Sequence, residues 1–179
     1  MISAIVLAAG ESLRMGSKNK LLLQIGSELI ISKFVKSVAN SNLSEIVVVL
    51  GHEGKKIRSA LKGQILTFID NPKYYKGMTS SIQFGVEASS KESIGLMICL
   101  ADMPLLKSED YNSMVQFEEK FRNKSKIIVP HNKTTRGNPV IFGRDYFNTL
   151  VNLEGDHGLS LIHISEPTRP ERIACSGWW

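Results

Sequence analysis

Cysteine is scarce: the 179 residues contain two, Cys99 and Cys175. Two such residues define neither a disulfide framework nor a zinc site, and a reduced, cytoplasmic protein is the expectation. Long apolar runs are missing as well. None approaches the ~20 residues that a membrane-spanning helix needs. The first residues, Met1 to Leu7, lack the basic stretch that opens a signal peptide. Charge of one sign is nowhere concentrated. The 22 basic and 17 acidic residues leave a net charge of +5, with no block of five or six like charges. Neither nucleic acid nor a membrane is therefore expected as a partner. Two glycine fingerprints are also absent. The chain has no Gly-x-Gly-x-x-Gly, and no Gly-Lys-Ser/Thr follows Gly16, which disfavours dinucleotide and P-loop sites.

What is present is the composition of a soluble globular domain, 42% apolar and 22% charged. Its length suffices to bury a core. Apolar runs of strand length alternate with stretches of helical period. Ile2 to Ala8, Glu45 to Leu50, Ile65 to Ile69, Leu96 to Ala101, Ile127 to Val129 and Pro139 to Phe142 read as strands. Between them, Ile30, Ile31, Phe34, Val35 and Val38 share a helical face. So do Ile57, Ala60 and Leu61, with Gly63 as a C-cap. Thr79 to Ala88 reads as a helix, as does the stretch capped by Ser108 that carries Tyr111, Met114, Val115 and Phe121. A last helix carries Phe147, Leu150 and Val151. Alternation of this kind predicts a three-layer α/β domain with a mostly parallel sheet. Ligands of such sheets bind beyond the carboxyl ends of the strands.

Residues 7–23 are the most informative stretch. They follow the first strand directly, and Gly10 and Gly16 permit a loop whose amides face phosphates. Arg14 and Lys20 add two cations to that loop, as triphosphate binding requires. In Cys99-Leu100-Ala101-Asp102-Met103-Pro104, Asp102 stands where an apolar strand ends. It is either a ligand for Mg²⁺, which takes one or two carboxylates plus phosphate oxygens, or the cap of the turn before Pro104. Asp156 lies between glycines in Glu154-Gly155-Asp156-His157-Gly158. That pattern suits a plain turn or a loop aiming a carboxylate inward. His52, His131 and His157 receive no catalytic role, and Cys99 reads as a buried strand residue.

Leu7-Ala8-Ala9-Gly10, Arg14-Met15-Gly16 and Lys20 resemble the nucleotidyltransferase signature of molybdenum cofactor biosynthesis. Gly77-Met78-Thr79-Ser80-Ser81, Ala101-Asp102-Met103-Pro104, Arg136-Gly137-Asn138-Pro139 and Gly155-Asp156-x-Gly158 recur in matching order. The chain is most similar to the molybdenum cofactor cytidylyltransferases. The guanylyl-transferring relatives usually carry Leu-Ala-Gly-Gly in the first loop, so Ala9 favours the cytidylyl branch. The resemblance implies a Rossmann-like nucleotidyltransferase domain that transfers CMP from CTP to molybdenum-bound molybdopterin and releases pyrophosphate. It implies Arg14 and Lys20 on the triphosphate, and Leu7, Ala8, Ala9 and Gly10 against the nucleotide. Ser80 and Ser81 would meet base or ribose, and Asp102 and Asp156 would hold Mg²⁺. A molybdenum hydroxylase is the implied recipient of the product. The alternatives are a nucleotidyltransferase for another phosphate acceptor, such as a sugar phosphate, and a non-catalytic chaperone that binds the molybdenum cofactor.

Three features depart from the family pattern. One extra residue lies between Gly16 and Lys20, so Lys18 competes for the phosphate-contacting role. Asn138 replaces the histidine usual in Gly-His-Pro, which leaves the acceptor contact open. The family's final strand and helix do not follow Leu159. Residues 1–159 are expected to form the nucleotidyltransferase domain, C-terminally incomplete. Residues 160–179, with both tryptophans and a Pro167…Pro170 pair, read as a non-native tail.

Overall fold

In chain order the strands are β1 (Ile2–Ala8), β2 (Gln24–Ile25), β3 (Glu28–Leu29), β4 (Glu45–Leu50), β5 (Thr67–Asp70), β6 (Gly95–Leu100), β7 (Ile127–Asn132), β8 (Thr135–Arg136), β9 (Val140–Gly143) and β10 (Glu171–Ala174). The helices are α1 (Ile30–Ala39), α2 (Gly54–Ala60), α3 (Met78–Ala88), α4 (Ser108–Phe121) and α5 (Phe147–Val151). The structure, a computed structural model, describes residues 1–12, 18–121, 127–132, 135–155 and 171–174.

The main sheet runs β10-β7-β9-β6-β1-β4-β5, with β8 paired to β7. β1 is central and parallel to both β4 and β6, and β5 continues parallel to β4. β9 runs antiparallel between β6 and β7, and β10 is parallel to β7. The architecture is thus α/β with a mostly parallel sheet, as the alternation of strands and helices predicts. β4 and β6 are buried on both faces, which explains their unbroken apolar runs.

Alternate residues of a strand face opposite sides, and β1 divides accordingly. Ile2, Ala4, Val6 and Ala8 join one core cluster with Ile31, Phe34, Val35 and Val38 of α1, Ile57 of α2, and Tyr111, Met114 and Val115 of α4. Ile5 joins the other, with Val49, Ile82 and Val86 of α3 and Leu150 of α5. Residues 31, 34, 35 and 38 are all buried, the i, i+3, i+4, i+7 stripe of an amphipathic helix. Burying these four side chains is worth about 6–12 kcal/mol before chain entropy is subtracted. On the opposite layer, α3 lies close on β1. A Cβ built on Gly85 would stand 2.3 Å from Ile5 Cγ2 and 3.2 Å from Val49 Cγ2.

Three elements differ from the sequence expectation. β5 begins at Thr67, not Ile65, and Ile65 is fully exposed. Gly63 leaves α2 at φ +90° and Gln64 N–H still bonds Leu61 C=O, so the chain rejoins the sheet only where Thr67 meets Val47. β7 does not end at Val129 but continues through Pro130 to Asn132. A proline lacks the N–H donor, yet the Pro130 carbonyl still accepts from Gly137 N–H at 2.8 Å. Of residues 160–179, set apart as a tail, the structure describes 171–174, and these add β10 to the edge of the sheet. The side chain of Phe121 lies outside the described residues.

Candidate active site

Register brings the strand ends together. Ala8 pairs with Leu50, Leu50 with Asp70, and Leu7 with Leu100. The carboxyl ends of β6, β1, β4 and β5 are therefore level along one edge, spanning about 14 Å at the usual strand spacing. Beyond them lie Ala9-Gly10, Gly51-His52, Asn71-Pro72 and Ala101-Asp102. β9 runs the other way and starts at this edge, with Val140 opposite Ile98. Asn138, two residues earlier, falls level with Leu100, and its buried Oδ1 has no hydrogen-bond partner among the described residues. From β1 the chain moves outward to β4 and β5 and then returns to β6 on the other side. The β1–β6 crevice is thus the topological switch point, where open α/β sheets bind ligands.

The loop after β1 is held from both ends. Ala9 is buried and its carbonyl accepts from His52 N–H at 3.1 Å. Gly51 permits this approach: a Cβ there would be 2.7 Å from Ala9 O and 2.6 Å from Tyr74 Cβ. Gly10, by contrast, is exposed, and among the described residues nothing lies within 4 Å of a Cβ built on it. Ser12 adopts φ +55°, and its hydroxyl accepts from Lys20 N–H at 3.2 Å. Lys20 begins a 3₁₀ turn over Lys20–Leu22. The Asn19 side chain caps that turn by accepting from Leu21 N–H at 3.1 Å, and buried Leu21 anchors it in the core. These ties place the Lys20 ammonium on the Asp102 carboxylate, a pair 82 residues apart in sequence. Lys18 is exposed, and the partner of Asp102 is Lys20. Arg14 and Asp156 lie outside the described residues.

Asp102 itself follows β6, whose end is fixed by Ala101 N–H on the Leu7 carbonyl at 3.4 Å. Both partners of the ion pair are partly solvated, at 40% and 37% side-chain exposure. The pair contributes at most about 1 kcal/mol to folding. Asp102 offers hard oxygen donors at the mouth of the crevice. Among the described residues no three His, Cys, Asp or Glu side chains form a metal cage. That donor set suits a cation such as Mg²⁺, which takes one or two carboxylates and completes its shell with water and phosphate oxygens. It does not suit a structural zinc site.

On the other side of β1, the start of α3 is pinned by a residue that sequence reasoning passed over. Asn71 follows β5 directly, and Asn71-Pro72 has the local pattern of an ordinary strand stop. It is 2% exposed, and its backbone N–H bonds the Leu50 carbonyl at 2.8 Å. Its amide donates to Ser80 Oγ and Ser81 Oγ, each at 3.0 Å, and accepts from Lys73 N–H at 2.8 Å. Ser80 also donates to the Gly77 or Lys73 carbonyl, at 2.9 and 3.0 Å. The two serines are buried and tied inward. Gln83 donates to the carbonyls of Val151 and Leu153, each at 2.9 Å, fixing the segment that leads to Asp156. Near His52, the hydrogen bond from Lys56 holds the Glu53 carboxyl below its ordinary range. Cys99 is a buried strand residue, and burial pushes its thiol far up.

Comparisons with known proteins agree with this geometry. The bifunctional protein GlmU of Listeria monocytogenes serotype 4a (strain HCC23) is 25% identical over 142 residues, 79% of this chain. The chain spans 30% of that relative's length. Among solved structures, Rv0371c of Mycobacterium tuberculosis H37Rv superposes with a TM-score of 0.85 at 20% identity, covering 98% of this chain and 88% of its own. The manganese complex of the same protein gives 0.79 at 20% identity, covering 98% and 89%. A CMP:2-keto-3-deoxy-manno-octonic acid synthetase complexed with CTP gives 0.77 at 12% identity, covering 98% and 91%. At these identities the structures establish the fold. A family model described as a MobA-like NTP transferase domain matches residues 4–168, which include the β1 loop and the whole switch-point edge. On that match the chain belongs to the MobA-like NTP transferase domain family.

Proposed function

We propose that the chain transfers CMP from CTP to molybdenum-bound molybdopterin and releases pyrophosphate. The observation that carries this reading is the meeting of Lys20 with Asp102 at the β1–β6 switch point, where exposed Gly10 follows β1. A cation and a carboxylate at the mouth of this crevice suit a triphosphate with its counter-ion. A terminal phosphate oxygen of the acceptor attacks the α-phosphorus. A new P–O bond forms while the bond from the α-phosphorus to the bridging oxygen breaks. The electron pair leaves with pyrophosphate. Such a reaction asks the protein for alignment and charge neutralisation, not for covalent chemistry.

In this reading Lys20, with Arg14, draws negative charge from the departing pyrophosphate. The backbone from Leu7 through Ala8 and Ala9 to Gly10 lies against the nucleotide. Asp102, with Asp156, would hold Mg²⁺, which when bound neutralises charge on the phosphate oxygens. Ser80 and Ser81, buried and tied to Asn71, hold the start of α3 at the nucleoside end. The CTP-bound neighbour and Ala9 both favour a cytidine nucleotide.

The test is pyrophosphate release by the purified chain with Mg²⁺, CTP or GTP, and molybdenum cofactor. CTP should be the better donor, and release should require the cofactor. Faster release with GTP would overturn the cytidylyl assignment. Release with a sugar phosphate in place of the cofactor would move the chain to that acceptor class. Binding of cofactor without turnover would make it a chaperone.

A further inference from the structure

The ammonium of Lys20 occupies the carboxylate that the proposed function gives to a divalent cation. Both groups reach this point on fixed supports: Lys20 on a turn anchored by Leu21 and Ser12, Asp102 on the end of β6. A lysine ammonium offers three N–H donors and no acceptor, so it satisfies the same oxygens that a hard cation would take. The two positive charges cannot share one carboxylate at contact distance without repulsion. We propose that Lys20 is a built-in counter-ion for the metal-free site and that it exchanges with the divalent cation. When metal takes Asp102, Lys20 is released and needs another anion within reach. A nucleotide phosphate supplies one. Lys20 then becomes the element that couples metal binding to nucleotide binding, and such coupling is reciprocal. The proposal rests on Asp102 being a metal ligand.

The test is Mn²⁺ titration followed by electron paramagnetic resonance, with and without α,β-methylene-CTP, which blocks turnover. Wild type is compared with Lys20→Ala, Lys18→Ala and Asp102→Asn. The pair is solvent-exposed, so loss of either partner leaves the fold intact, and thermal unfolding checks this. Lys20→Ala should tighten Mn²⁺ binding without nucleotide by up to about fivefold, the most an exposed ion pair of this kind holds back. It should also shrink the gain in Mn²⁺ affinity that the nucleotide brings. Unchanged or weaker metal binding by Lys20→Ala would overturn the exchange. So would equal tightening by Lys18→Ala, since the effect would then be general charge and not the pair. Asp102→Asn separates the two levels. If it weakens Mn²⁺ binding while Lys20→Ala has no effect, the exchange fails and the metal reading stands. If it leaves Mn²⁺ binding unchanged, both fall.

Discussion

Replacing Asn71 with alanine removes an amide that serves three partners from inside the protein. Its backbone bond to Leu50 survives. Ser80 Oγ and Ser81 Oγ each lose a donor, and Lys73 N–H loses an acceptor. Lys73 is exposed, so water replaces that contact at little cost. The two serine hydroxyls are buried. A buried polar group deprived of its partner costs about 1–3 kcal/mol. Ser80 keeps its bond to a carbonyl of residue 73 or 77, which puts its share at the low end. The sum is about 2–4 kcal/mol. In a domain of this size each kcal/mol lowers the melting temperature by about 2–4 °C, so Asn71→Ala should melt roughly 5–15 °C lower. Asn71→Leu keeps a similar volume and removes both the amide donors and the acceptor. It should lose stability on the same scale, which separates hydrogen bonding from cavity formation. Under the proposed function, KM for CTP should rise more than kcat falls, because the start of α3 shifts while Lys20 and Asp102 stay in place. A melting temperature within 2 °C of wild type for both variants would refute the reasoning.

Other outcomes follow from the same geometry. Gly51→Ala should cost about 1–3 kcal/mol, because the added methyl meets the Ala9 carbonyl at 2.7 Å and backbone cannot swing aside; urea unfolding measures it. Lys20→Ala should slow turnover by a barrier of about 2–4 kcal/mol, while Lys18→Ala stays near wild type; steady-state kinetics with CTP compares them. Cys99 should resist iodoacetamide in the native protein and react only on unfolding, as read by peptide mass mapping, because it is buried and its thiol is pushed up. The sign of its pH effect is fixed. The native state keeps that proton while the unfolded chain gives it up near the ordinary thiol value of about 8.5. Stability should therefore fall as pH rises above that value, and Cys99→Ala should flatten the decline in chemical denaturation across the alkaline range.

The parallel core was legible because each strand that is buried on both faces leaves a continuous apolar run, as Ile46-Val47-Val48-Val49 does. The α1 stripe was legible from its period. The start of β5 was not, because Ile65 and Leu66 look like strand residues while pairing with β4 decides the register. The extent of β7 through Pro130 was not legible either. The missing N–H of a proline matters only where the ladder asks for a donor. In the site, Asp102 and Lys20 could each be named from local pattern, but nothing local says that they meet. Their pairing depends on the order of β1 and β6 in the sheet. Asn71 left no signal at all: its partners are nine and ten residues away, and a strand-ending Asn-Pro is ordinary turn chemistry.

Gly85 lies one helix layer behind the site, and its consequence is one of calibration. The near-contact of its backbone with Ile5 sets the gap between α3 and β1. The start of α3 is seven residues upstream, about 10 Å along the axis at 1.5 Å per residue. The separation of β1 from α3, whose start carries the two serines, therefore rests in part on a missing methyl in the interior. A larger residue at position 85 would push α3 away from β1 and carry the serines with it.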